Sequence, residues 1–171
     1  MFSKKKIQIA VFSFLAACFT SSMAHADTWM VVSKLVTANE AALVILKTDD
    51  IRNLGANKKG ITALWLMPRR YSEISIAWSE VTCNPMALNM KSRAPLTIII
   101  DSFGAMQAYP DARETFPDNF VPVSGSTIGA GLVNYACTGR NLLRDADAVS
   151  FRNMSDALKY ADAFMKANRP R

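Results

Sequence analysis

Two cysteines constrain this chain more than any other feature. Three are present, but Cys18 lies inside an N-terminal segment built like an export signal, which leaves Cys83 and Cys137 as an even pair. Lys4, Lys5 and Lys6 are followed by an almost wholly apolar run over 7–19. A small-residue zone then ends in Ala24-His25-Ala26, an A-x-A cleavage pattern before Asp27. The expected organisation is a secretory signal over residues 1–26. A lipoprotein signal over 1–17 is the alternative, because Leu15-Ala16-Ala17-Cys18 resembles a lipobox that would place a lipid on Cys18. Either route delivers the chain to a bacterial envelope, where oxidation makes a Cys83–Cys137 disulfide the expected state. The two cysteines are 54 positions apart, so the bridge would close a long loop.

Removal of the signal also changes the charge and the chemistry. The full chain carries a net charge of +6, half of it from the three signal lysines, and the remainder gives no reason to expect a nucleic-acid partner. The chain's one histidine is His25, inside the signal. A mature domain without histidine cannot build a Ser-His-Asp or Cys-His nucleophile system, nor a histidine-based metal site. No HExxH, GxSxG, phosphate-loop or dinucleotide motif occurs, and no cofactor is expected. Glu40, Glu73, Glu80 and Glu114 are the four glutamates, and nothing in their spacing singles out a catalytic pair. The expectation is therefore a non-enzymatic protein.

Periodicity points to a sheet followed by helices. Strands are expected at 29–32, 41–46 and 61–67, with a polar loop over 53–60 and Pro68 ending the third strand. Residues 72–83 alternate, with Ile74, Ile76 and Trp78 in one phase; Val81 and Cys83 then fall in the other, which suggests a β-bulge near Ser79-Glu80. One strand broken at Pro95, or two, should fill 88–100, and Asp101-Ser102-Phe103-Gly104 signals a hairpin turn into 105–109. Pro110, Pro117 and Pro122 mark an irregular connection. A helix is expected over 124–137, with Ser126 as its cap, Gly139 at its end, and Gly129 and Gly131 weakening it. A second amphipathic helix follows Ser155, with Ala157, Leu158, Ala161, Phe164 and Met165 on its apolar face.

Four segments carry a resemblance. They are Tyr71-Ser72 leading to Val81-Thr82-Cys83; Ile100-Asp101-Ser102-Phe103-Gly104; Phe120-Val121-Pro122-Val123-Ser124; and Leu132-Val133-Asn134-Tyr135-Ala136-Cys137. In these the chain resembles the surface-adhesin protein E family of Gram-negative envelope proteins, over about residues 27–138. Val123 stands where that family tends to have glycine, and residues 139–171 lie outside the resemblance. The resemblance implies an antiparallel sheet of about five or six strands with a helix tied across it by the disulfide; with the amphipathic C-terminal helix read from its own periodicity and packed on the domain, the expected fold class is α+β. It also implies an exported, periplasmic or outer-membrane binding module contacting a protein or extracellular-matrix macromolecule. The alternative is an accessory or structural component that binds another envelope protein. A membrane would be met only through a lipid on Cys18, and a homodimer is compatible with either reading. Lys58 and Lys59, in the Gly-flanked loop, and Arg69 and Arg70, after Pro68, are the candidate partner contacts.

Overall fold

Six strands run as an antiparallel meander, each hydrogen-bonded to the next: β1 (Trp29–Val36), β2 (Ala41–Gly55), β3 (Lys58–Leu66), β4 (Glu73–Cys83), β5 (Met86–Ile100) and β6 (Met106–Pro110). Two short strands complete the sheet. β7 (Phe120–Pro122) pairs with β5 next to β6, and β8 (Ser150–Phe151) pairs with β1 at the opposite margin. The helices are α1 (Ile128–Thr138) and α2 (Met154–Ala167). The computed structural model describes residues 28–37, 40–66, 73–100, 106–110, 120–125 and 127–168. The architecture is the expected α+β fold, and the disulfide joins Cys83 at the end of β4 to Cys137 in the last turn of α1, with Cα atoms 5.5 Å apart. Cys18, Met67, Pro68, Arg69, Arg70, the 101–104 turn and Ser126 lie outside the described residues.

The two helices cover opposite faces of the sheet. Leu43, Ile45, Leu64, Leu66 and Ile74 pack with Leu158, Ala161, Phe164 and Met165 of α2. Val44, Leu46, Ile61, Trp65 and Val81 pack with Leu132, Val133 and Ala136 of α1. A strand covered on both sides has no polar face to present, so the run Ala41–Leu46 is apolar at every position and buried throughout.

The same arrangement corrects the reading of β4. Pairing with β3 is uninterrupted from Lys58↔Thr82 to Leu66↔Ile74, so β4 has no bulge toward β3 at Ser79-Glu80. Ile74 and Ile76 face α2, whereas Ala77 and Val81 face α1. The apolar phase changes because the covered face changes along the strand. Extra residues lie instead in β5, where the partners of Ile76, Trp78 and Glu80 are Leu96, Arg93 and Asn89.

Several boundaries also differ from expectation. The helix expected from 124 begins at Ile128, after the extended backbone of Thr127. Residues 53–60 are not a loop: β2 continues to Gly55 and β3 begins at Lys58, so only Ala56-Asn57 form the turn. Residues 86–100 form one strand, continuous through Pro95. α2 is capped by Asn153 and not by Ser155: Asn153 Oδ1 accepts the Asp156 N–H at 2.9 Å, and Asn153 Nδ2 donates back to the Asp156 carboxylate at 3.0 Å. Asn153→Ala is expected to cost about 1 kcal/mol in a urea melt, and Ser155→Ala only a few tenths.

α1 sits close to the sheet because its first turns are small. An added Cβ at Gly131 would lie 2.0 Å from the carbonyl oxygen of Val32. At the far end Gly139 takes a left-handed conformation (φ 71°) and its N–H caps the helix on the Tyr135 carbonyl, as the sequence suggested. The chain after α1 returns to the first strand. Asn141 Nδ2 donates to Val31 O at 2.7 Å, Val31 N–H donates to Val149 O at 2.9 Å, and Lys34 meets Asp147 at 2.8 Å.

Candidate functional site

One open sheet edge among the described residues is the outer edge of β1 beyond Val31. β8 pairs with Trp29 and Met30, and Val149 and Asn141 bond the Val31 backbone, so this cover ends at Val31. At the turn into β2, Thr37 N–H donates to Glu40 O at 2.7 Å. Antiparallel ladders alternate inward and outward pairs, so counting back from Thr37 directs the N–H and C=O of Val36 and Lys34 away from β2. Those outward groups have no hydrogen-bond partner among the described residues. Val36 is half-exposed beside them.

A bulge shapes this edge. Val31 pairs with Ile45 and Ser33 with Val44, so Val32 is the extra residue. Val32 and Ser33, neighbours in sequence, therefore both face the α1 side, where regular alternation would have turned Ser33 to the other. Between the bulged edge, the first turn of α1 and the 142–143 segment lies a cavity of about 190 Å³, lined by Val32, Ser33, Leu35, Ile128, Gly131 and Leu142 among others. Ser33 is only 9% exposed, lines this cavity, and has no hydrogen-bond partner for its hydroxyl among the described residues.

The start of α1 faces the same space. Thr127, the residue before the helix, makes no side-chain cap; its hydroxyl donates to Ser124 O at 2.9 Å instead. No acidic residue occupies the first turn. Ala130 N–H donates to Thr127 O at 3.0 Å, so the Ile128 and Gly129 amides carry the remaining partial positive charge at this end of the helix. Lys34 also borders the space, but its ammonium is held at Asp147 and lies 6.0 Å from the Phe164 ring centroid. That hydrogen bond raises the Lys34 pKa against the opposing effect of burial, and lowers that of Asp147.

The basic pairs expected to bind a partner are placed differently. Lys58 and Lys59 are adjacent on β3, so their side chains leave opposite faces of the sheet. Lys58 pairs with Glu80 at 3.2 Å and lies 5.1 Å from the Phe120 ring centroid. Both lysines sit at the β2–β3 turn, at the other end of β2 from the open edge of β1. Arg69 and Arg70 are outside the described residues.

The same hairpin holds the clearest carboxylate network. Burial pushes the Asp50 pKa up. Hydrogen bonds from Thr62 Oγ1 (2.6 Å) and Arg52 (2.6 and 2.8 Å), with the charges of Arg52 and Lys47, outweigh it and hold the carboxyl below its usual value. A lowered folded-state pKa contributes stability that is complete above the unfolded value of about 3.9 and is lost as pH falls through the folded pKa. Thr62→Val is expected to move the Asp50 titration upward in carboxyl NMR and to weaken the fold at neutrality, a loss that disappears as pH falls and Asp50 is protonated in both states. This cluster is an ion-pair network on a hairpin, and no group of three or more His, Cys, Asp or Glu placed to hold a metal occurs among the described residues.

Sequence reasoning missed Ser33, Leu35, Ile128 and Leu142. Two signals pointed to them. Val31-Val32-Ser33 breaks the alternation of β1, and Gly129 with Gly131 permits close approach where a helix would otherwise favour alanine. No protein-family model, curated protein or solved structure matches this chain.

Proposed function

We infer that the chain is a non-enzymatic binding module of the Gram-negative cell envelope that holds a protein partner along the open edge of β1. The observation that carries this reading is the run of outward-facing backbone groups at Lys34 and Val36 beside an apolar cavity. An exposed strand edge is a template for another strand, and adjacent cavities then read alternate side chains. The signal-like N-terminus supports export to the periplasm or surface, and the Cys83–Cys137 bridge suits an oxidising compartment. An adhesin-like role toward a host macromolecule accords with the resemblance to the surface-adhesin protein E family. Binding of another envelope protein is the second reading, favoured by the exposed Val36 and Leu142 flanking the edge.

Photo-cross-linking tests both. A benzoylphenylalanine placed at Val36 is expected to capture a discrete protein on intact cells or after addition of matrix proteins. The same group at Lys159, on the exposed side of α2, should capture none. A bacterial adduct supports the accessory reading and a matrix adduct the adhesin reading. Equal labelling from both positions, or none from Val36, would remove β1 as the binding edge.

A further inference from the structure

We propose that the occupant of this edge is the carboxyl-terminal end of an extended peptide whose last residue is apolar. The proposal rests on the β1 reading above and specifies what that edge recognises.

Three features converge on one end of the groove. The first is a donor set: the start of α1, where the Ile128 amide has no partner among the described residues, and the unpartnered hydroxyl of Ser33, a residue nine-tenths buried, border the same space. A helix start without an acid or a side-chain cap favours an anion. The second is that no free cation lines it among the described residues. Lys34 is committed to Asp147, so the anion must be one that hydrogen-bond donors and a helix dipole can hold. A single carboxylate meets that condition better than a multiply charged phosphate. The third is the cavity itself. At about 190 Å³ it is smaller than the several hundred Å³ usual for a whole small-molecule ligand, and it has room for one aliphatic or phenyl side chain.

The strand geometry fixes the direction. A peptide added antiparallel to β1 would pair first with Val36 and then with Lys34, and would arrive at Ser33 and the start of α1 with its final residue. There the terminal carboxylate accepts from the Ser33 hydroxyl and the α1 amides. The last side chain points into the cavity among Val32, Leu35, Ile128 and Leu142. Backbone pairing supplies sequence-independent affinity, and the carboxylate and cavity supply the requirement for a chain end.

The test uses the oxidised full chain and two fluorescent hexapeptides of sequence Lys-Thr-Val-Thr-Val-Leu, one with a free carboxyl terminus and one amidated. Anisotropy is expected to show at least tenfold weaker binding of the amide. Ser33→Ala should weaken the free acid severalfold and leave the amide unchanged. Ile128→Glu, which sets a negative charge at the start of α1, should abolish the preference for the free acid, and circular dichroism reports whether that variant remains folded. Equal binding of acid and amide, insensitive to Ser33→Ala, overturns the carboxylate and leaves the edge reading standing. Failure of both peptides at millimolar concentration, repeated with each of the twenty amino acids at the last position, overturns both. Concentration-dependent dimerisation that Val36→Pro abolishes would identify a second copy of this chain as the occupant and overturn the proposal.

Discussion

Gly131→Ala will destabilise the protein by about 3 kcal/mol, although alanine is the better helix former by about 1 kcal/mol. The added methyl would stand 2.0 Å from the Val32 carbonyl oxygen and 3.2 Å from the Ser33 Cβ, and the first of these is backbone that cannot rotate aside. Relief requires α1 to lift from the sheet, which withdraws Leu132, Val133 and Ala136 from their contacts with Val44, Leu46 and Trp65. Gly129→Ala is the matched control. Its nearest neighbours would be the ends of the Leu88 and Val123 side chains at 3.4 Å, so the helix gain should survive and stability should stay level or rise by up to about 1 kcal/mol. Urea denaturation of the two variants measures the difference. Equal stability of the pair would mean that α1 does not rest on β1 as described.

Replacing both Cys83 and Cys137 by alanine is expected to cost about 4 kcal/mol and to lower Tm by roughly 10–15 °C. The bridge spans 54 positions, a long closure, and most of its effect is on the unfolded chain. It also fixes the second end of α1, because Gly131 seats the first turns and Cys137 the last. Both substitutions loosen the same helix, so the combined variant should lose less than the two effects added. A double alanine variant within about 1 kcal/mol of the parent would show that the bridge contributes little beyond the packing it accompanies.

The legible part of the fold was the part governed by periodicity. Ile74 and Ile76 alternate with polar residues, and the Ala157–Met165 stripe recurs at helical spacing; each led to the right element. Less legible were features set by what covers a strand. Glu80 and Val81 looked like a register slip because a single strand can face one helix at its start and another at its end. Asn53, Lys58 and Lys59 looked like a loop because they are polar, yet cross-strand pairs such as Asn53↔Lys59 and Lys58↔Thr82 keep them in the sheet. Asn153 was passed over for Ser155 because both are good caps, and only the Asp156 amide chooses between them. The candidate site was least legible. Ser33 is ordinary by type and becomes notable only when the bulge at Val32 turns it under α1.

The pairing of β8 with β1 brings the last quarter of the polypeptide onto its first strand, and α2 supplies the lid for Leu43, Ile45 and Leu64. A chain emerging from its amino end must therefore carry the apolar side of β1–β3 uncovered until Met165 has been made. Such contacts between distant parts of the chain slow folding and lengthen the interval in which a naked sheet can meet its neighbours. A stop codon before α2 would turn a transient hazard into a permanent one.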